Sequence, residues 1–385
     1  MTTQATREET SAGAAVLYMA LELSSTRWQA LFTTGHNQKQ RERQVEAGDI
    51  AVLLAEVAAA RTKLGLAADA RVVACYEAGR DGFWLDRALR LHGIDNQVVD
   101  SASIEVSRRQ RRTKTDRVDL RKLMALLLRF CLGERSALKV VRVPTEADED
   151  LRQLSRSIER LKGERMRHVA RIKSLLVAQG LRLTHVGGPN WAERVGALRT
   201  FAGQPLGNHL RQDLIDEGEL LALATRLLSV RQAERDRLVA RAETAAAAKA
   251  RDLMRLGAIA KESSYVFATE VFGWRRFANR RELAGSIGIT GSPYRSGALD
   301  HEQGISKAGN KRMRRMLVEI AHCWLRYQPQ SALSRWWQAR FAASGVRRRK
   351  QGIVALARKL LIALWRYLEQ GVVPEGATLK KAVAA

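Results

Sequence analysis

The chain has 385 residues, 46% of them hydrophobic, which is enough for two or three globular domains with their own cores. Its 66 lysines and arginines against 40 acids leave a formal charge of +26, an excess that attracts polyanions and makes nucleic acid the expected partner. No apolar run is long enough to cross a bilayer, the opening residues lack a secretory h-region, and Cys75, Cys131 and Cys323 form neither a disulfide framework nor a zinc motif, so a cytoplasmic protein without membrane attachment is expected.

Residues 1–13 are polar and read as a disordered tail. Between residues 14 and 140 strand and helix patterns alternate. "AAVLYMALEL" reads as a buried strand, "RWQALFTT" and "QRERQVEA" as the rest of a meander, and "DIAVLLAEVAAARTKLGL" as a helix with Asp49 as its N-cap. "ARVVACYEA" is a second buried strand, "RDGFWLDRALRLHG" a helix closed by Gly93, and "NQVVD" a third strand. Strands joined by crossover helices imply an α/β domain with parallel pairing. Residues 141–250 are different: two long, charged segments with heptad-like apolar spacing flank a glycine- and proline-containing stretch, which predicts an antiparallel helical coiled-coil spacer. Residues 251–385 form shorter helices punctuated by glycine. The last of them, "RRRKQGIVALARKLLIALWRYLEQG", carries an apolar stripe suited to a core and a solvated basic face.

Four acids stand out by position. Glu22 lies near the end of the first strand and Glu77 at the end of the second buried one. Asp116 and Asp119, at i and i+3 in "RRTKTDRVDL", share one side of a helical turn after the third strand. Functional groups of open α/β sheets collect at the carboxyl ends of strands. Four convergent carboxylates repel one another unless cations sit between them, and hard oxygen donors suit a pair of Mg2+ ions that clamp the oxygens of a phosphodiester. The surrounding bases Arg111, Arg112, Lys114 and Arg117 are candidates for holding nucleic acid.

"LELSSTRW", "CYEAGRDGFWLDRALRLHGI" and "RRTKTDRVDLRKL" resemble the signature segments of the RuvC-like DEDD domain in insertion-sequence transposases of the one-hundred-and-ten family. The resemblance implies a ribonuclease H-like fold for the N-terminal domain and a magnesium site at Glu22, Glu77, Asp116 and Asp119. Glu22 stands where the family usually has Asp. "ITGSPYRSGALDHEQGISKAGNKRMRRMLVEIA" resembles the same family's C-terminal transposase domain, whose nucleophilic serine, placed before a glycine, maps to Ser296 and Gly297. Ser292 and Ser306 are the competing serines. Gly297 leaves room beside the hydroxyl, and Arg295 can offset charge on phosphorus. Ser306 is a candidate N-cap for the next helix, where Lys307, Lys311, Arg312 and Arg315 form a candidate phosphate clamp. "GAIA" in "LMRLGAIAKESSYVF" departs from the glycine-x-glycine turn of the family's helix-hairpin-helix element.

The expected fold is therefore α/β plus all-α: a RuvC-like domain, a helical spacer and a small helical C-terminal transposase domain. The expected function is a recombinase that cuts and rejoins donor and target DNA. The resemblance also implies a guide, the noncoding bridge RNA, and a homo-oligomer, dimer or tetramer, whose subunits share a composite site. A metal-only junction nuclease and a non-catalytic nucleic-acid binding protein are the alternatives.

Overall fold

The computed structural model describes residues 15–79, 81–100, 116–296, 299–307 and 309–380, with side chains for all of these except 116–118, 292–296 and 299–303. The chain divides into two compact units, Met1–Pro144 and Thr145–Ala385.

The first unit is built on a five-stranded sheet of β1 (Leu17–Leu23), β2 (Arg27–Thr33), β3 (Gln40–Glu46), β4 (Val72–Glu77) and β5 (Asp95–Val99), in the order β3-β2-β1-β4-β5. The first three form an antiparallel meander. β4 then pairs parallel with β1, and β5 parallel with β4. Residue alternation divides the sheet into two faces. Leu17, Met19 and Leu21 of β1 pack with Ala74 and Tyr76 of β4 beneath α1 (Ile50–Lys63) and α2 (Trp84–Leu91), represented by Leu53, Val57, Leu85 and Leu89. Ala20, Val73 and Cys75 face the other way, against Leu120, Leu123 and Leu127 of α3 (Asp116–Cys131). Asp49 does cap α1, accepting from the Val52 amide at 2.9 Å.

The second unit opens with α4 (Glu146–Val177), started by a Thr145–Asp148 capping box. It packs antiparallel to α6 (Asn208–Arg241): Ile172 and Leu176 near the end of α4 meet Leu214 and Leu221 near the start of α6, while Leu151 and Leu154 lie against Val239. Between them α5 (Trp191–Ala197) inserts Trp191, whose indole donates to the Leu214 carbonyl at 2.6 Å. Gly218 is obligatory here, because a Cβ would lie 2.0 Å from that indole. The opposite face of α6 leaves Leu220, Leu223, Leu227 and Val230 exposed. The second long helix, expected to continue to the end of the spacer near residue 250, instead breaks at Ala242 (φ +50), and Thr244 caps a separate α7 (Ala245–Met254). The run of alanines after the break gives α7 a narrow, fully buried face.

The remainder surrounds one core of Phe267, Phe272, Leu317, Trp324, Leu356, Leu360 and Leu364. Its elements are α8 (Lys261–Phe267), continuing into a π-helical turn at Ala268–Phe272; α9 (Arg280–Ile287); a hairpin of β6 (Gly291–Ser296) and β7 (Leu299–Ile305); and α10 (Lys311–Tyr327), α11 (Ala332–Phe341) and α12 (Val346–Gln370). The apolar stripe of α12 is core, as its periodicity predicts. Among the described residues, no helix is long and apolar enough to cross a membrane.

Candidate active site

Parallel pairing of β1 with β4 runs up to Leu21–Tyr76, so Glu22 and Glu77 follow side by side at the carboxyl ends of neighbouring strands. By alternation both belong to the face that carries Ala20 and Cys75, the face covered by α3. Together with Ser24, Ser25 and Asp81 they line a concave pocket of about 350 Å3. Its rim is fixed by two turns. The Ser24 hydroxyl donates to the Arg27 carbonyl at 2.6 Å and accepts from the Arg27 amide, closing β1 onto β2. After β4, the Ala78 amide donates to the Val99 carbonyl, and the Tyr76 hydroxyl donates to the carbonyl of Gly82, a residue at φ +67.

α3 runs opposite to the strands it covers. Its last residues, Phe130 and Cys131, pack with Val16 and Tyr18 at the start of β1, and burial together with neighbouring Cys131 pushes the Tyr18 phenol up from its ordinary pKa. Midway, the Cys75 thiol lies 3.9 Å from the Leu123 carbonyl. The N-terminal turn of α3, with Asp116 and Asp119, therefore points back toward the strand ends that hold Glu22 and Glu77. Asp116 shares the helix face of Leu120, Leu123 and Leu127, although its side chain lies outside the described ones. Asp119 is half-exposed, 3.7 Å from Lys122, and is not among the residues lining the pocket. Glu22 and Glu77 are thus brought together, with the Asp116–Asp119 turn at the same end of the sheet.

The donors around the pocket are carboxylate and hydroxyl oxygens, and no lysine or arginine is among the described lining residues. That donor set fits a hard divalent cation such as magnesium. The described side chains do not by themselves assemble three or more acids, histidines or cysteines into a metal-holding group. Asp81 and Ser24 were not singled out by the sequence reading. Asp81 follows Glu77 by four residues on the loop leaving β4, a position at which an acid in an α/β chain could have been noticed.

In the second unit, Ser296 is the last residue of β6 and pairs with Leu299 of β7. Gly297 and Ala298 between them lie outside the described residues, as do the side chains of Ser292, Arg295 and Ser296. The base of the hairpin is stitched to the end of α9: the Ser306 amide donates to the Thr290 carbonyl, and that of Lys307, at φ +59, to Gly288. Ser306 is not the cap of α10. Asn310 is, its Oδ1 accepting from the amides of Arg312 and Met313 at 3.1 and 3.2 Å, because four residues including Gly309 (φ +79) separate Ser306 from the helix. A Cβ at Gly309 would stand 2.2 Å from the Ser286 carbonyl oxygen, so only glycine fits that approach.

The candidate clamp divides in two. Lys307 and Lys311 are exposed, whereas Arg312 bridges Glu159, Glu270 and the Ser155 carbonyl, and Arg315 pairs with Glu159. The centre of this network is Glu270, 1% exposed on the π-helical turn, which meets Arg152 at 3.4 Å, Arg156 at 3.2 Å, Arg312 at 3.1 Å and the Asn310 amide at 3.1 Å. Burial alone would raise the Glu270 pKa; Arg152, with Arg156 and Arg312, outweighs it and holds the carboxyl below its usual range. The sequence reading missed Glu270, since its partners stand more than a hundred residues upstream or forty downstream. Arg111, Arg112 and Lys114 lie outside the described residues, and the side chain of Arg117 outside the described side chains.

Comparison with known proteins finds family matches in both units. Residues 250–336 match the family described as "Transposase IS116/IS110/IS902 family", and residues 19–179 match a model described as transposase and named for the DEDD domain of IS110 elements. A Sinorhizobium fredii protein named as a transposase, y4rJ, is 40% identical over 381 residues, 94% of either chain. A second from the same organism, y4qE, is 29% identical over 71% of this chain and 63% of its own. The transposase for insertion sequence element IS1328 of Yersinia enterocolitica is 29% identical over 32% of this chain and 37% of its own.

Proposed function

From the premise that the chain belongs to the IS110 family of insertion-sequence transposases, and so to a class of DNA-processing enzymes, we propose that it cuts and rejoins DNA with Ser296 as nucleophile and the acids of the first unit as a metal site. The observation that carries this reading is the pocket where Glu22 and Glu77 meet. In a chain of charge +26, a concavity lined by the carboxylates of Glu22, Glu77 and Asp81 suits a cation. Magnesium held there by Glu22, Glu77, Asp116 and Asp119 would polarise a phosphodiester oxygen. Glu22, one methylene longer than the Asp usual at its position, reaches the same site from the strand end.

The Ser296 Oγ attacks phosphorus, a serine–phosphate bond forms, the bond to one strand oxygen breaks, and that strand leaves with a hydroxyl after taking up the serine's proton. Attack by another strand's hydroxyl reverses the exchange and rejoins DNA without a net loss of phosphodiester bonds. The anchored hairpin base supports a nucleophile kept in place through both steps, and Arg295 offsets charge on phosphorus. The chain acts as a homo-oligomer, with the serine of one subunit and the acids of another completing each site. In support, Leu220, Leu223, Leu227 and Val230 repeat along α6 at the three-four-three spacing that suits a second helix. A bridge RNA choosing both DNA sites by base pairing fits a protein whose charge grips backbones.

One experiment tests the whole reading. With DNA, guide RNA and magnesium, Ser296→Ala and Asp119→Asn are each expected to form no protein–DNA adduct on a denaturing gel, while Ser292→Ala and Ser306→Ala keep it. Mixing the two inactive variants restores part of the adduct if sites are shared between subunits. An adduct in Ser296→Ala alone removes the serine assignment, and cleavage without any adduct turns the reading to a metal-only junction nuclease.

A further inference from the structure

Between Glu319 and Glu369 the sequence holds ten lysines and arginines and no acid. This stretch covers the C-terminal half of α10 and all of α11, with α12 up to its last two residues. Of those ten bases, only Arg335 meets an acid among the described residues, Glu375 at 3.8 Å. Elsewhere in the same unit exposed bases are interleaved with acids, as in Arg231–Glu234 and Arg167–Glu164. The contrast marks a surface whose charge is left for something outside the chain.

Its geometry is well defined. α11 and α12 form a tight pair: a Cβ on Gly352 would stand 2.5 Å from the Phe341 ring, and Trp336 meets the same ring edge-on at 5.7 Å. Trp336 in turn lies under two cations, Lys359 of α12 at 4.6 Å and Arg340 of α11 at 5.8 Å. The first turn of α12 exposes Arg347, Arg348, Arg349 and Lys350 in succession. Positive charge at a helix N-terminus opposes the helix dipole, so these residues cost stability where they stand. At 100° per residue Arg348, Lys359 and Arg366 fall on one line, roughly 27 Å long at 1.5 Å per residue.

We propose that the exposed face of α11 and α12 is a further nucleic-acid surface, built from residues outside the acidic pocket and the serine hairpin, that binds the phosphodiester backbone of duplex DNA through Arg347–Lys350 and Lys359. A straight row of cations without acids matches a regular line of phosphates. A membrane is a poorer match, because the apolar side of α12, with Leu356, Leu360, Leu361 and Leu364, is spent in the core and leaves nothing to insert. The proposal rests on the transposase reading only for the choice of polyanion.

The test is salt-dependent binding of the full chain to a labelled DNA duplex, a matching RNA duplex and anionic lipid vesicles, read by fluorescence anisotropy or sedimentation. The quadruple variant Arg347→Gln, Arg348→Gln, Arg349→Gln, Lys350→Gln is compared with a control that loses equal charge from α4 and α6: Lys173→Gln, Arg211→Gln, Arg226→Gln, Arg237→Gln. The first is expected to lower the slope of log affinity against log salt by about three to four on duplex DNA, at about 0.9 per lost contact, and the control by less than about one. A lowered slope on the DNA duplex, with or without a smaller drop on RNA, upholds the surface. An unchanged slope in the first variant, an equal loss in the control, or a loss confined to RNA or to vesicles overturns it. Wild-type protein that binds neither duplex would instead overturn the transposase reading itself.

Discussion

Glu77 and Glu270 are both glutamates in a strongly basic chain, yet their surroundings have opposite logic. Glu270 is sealed in, with three arginines and an amide converging on it, so its charge is spent on holding α4, the π-helical turn and α10 together. Glu77 is exposed at a strand end beside Glu22 and Asp81, and the described residues around that pocket bring no lysine or arginine. A compensated carboxylate builds structure. Carboxylates grouped at an open strand end are placed to attract a cation from outside, which is how the proposed metal site differs from a brace.

The sharpest way to break that comparison is to remove each charge in turn. Glu270→Ala leaves Arg152 nearly buried without its ion-pair partner and Arg312 with Glu159 alone, and is expected to cost about 3–5 kcal/mol, seen as a lower urea midpoint. A midpoint that does not move would reduce Glu270 to a surface-like pair. Glu77→Gln should leave the urea midpoint unchanged or slightly higher, since it relieves repulsion, while strand cleavage falls on the order of 100-fold or more. Loss of stability in Glu77→Gln would place it with Glu270 and erase the contrast.

A smaller effect sharpens the comparison through pH. Because the folded state holds the Glu270 carboxyl below its usual range, its contribution is complete above the unfolded value of about 4.3 and is lost as pH falls through the lower folded value. Stability of the wild type should therefore decline below about pH 4, and Glu270→Gln should show a shallower decline over that window. Parallel acid profiles for the two proteins would contradict the assignment.

The parts of this molecule that were legible in the sequence are those set by local pattern. The buried apolar runs of "LYMALEL" and "VVACYE", the Asp49 cap and the apolar stripe of α12 each follow from neighbours within a turn or two, and each is found. The meeting of Glu22 and Glu77 at one end of the sheet was legible because an acid ending a buried strand is conspicuous. The Ser306 cap was misread because the glycine-bearing turn at Gly309 displaces the helix start to Asn310, a matter of backbone conformation rather than side-chain preference. The break at Ala242 was hidden for the converse reason: an alanine-rich run has high helix propensity and gives no sign of stopping. Arg312, grouped with the exposed bases by sequence, is taken up by partners on α4 and the π-helical turn that no local window contains.

Asn310 performs two jobs with one small amide. Its oxygen closes the first turn of α10 while its nitrogen donates to Glu270. At most helix starts Asp would serve as well as Asn. Here it would keep the cap but set a second negative charge against a buried carboxylate. The same conversion is what spontaneous deamidation, a familiar weakness of asparagine, produces without any mutation. The junction of α10 with its brace therefore depends on Asn310 remaining an amide, since its oxygen and its nitrogen serve different partners.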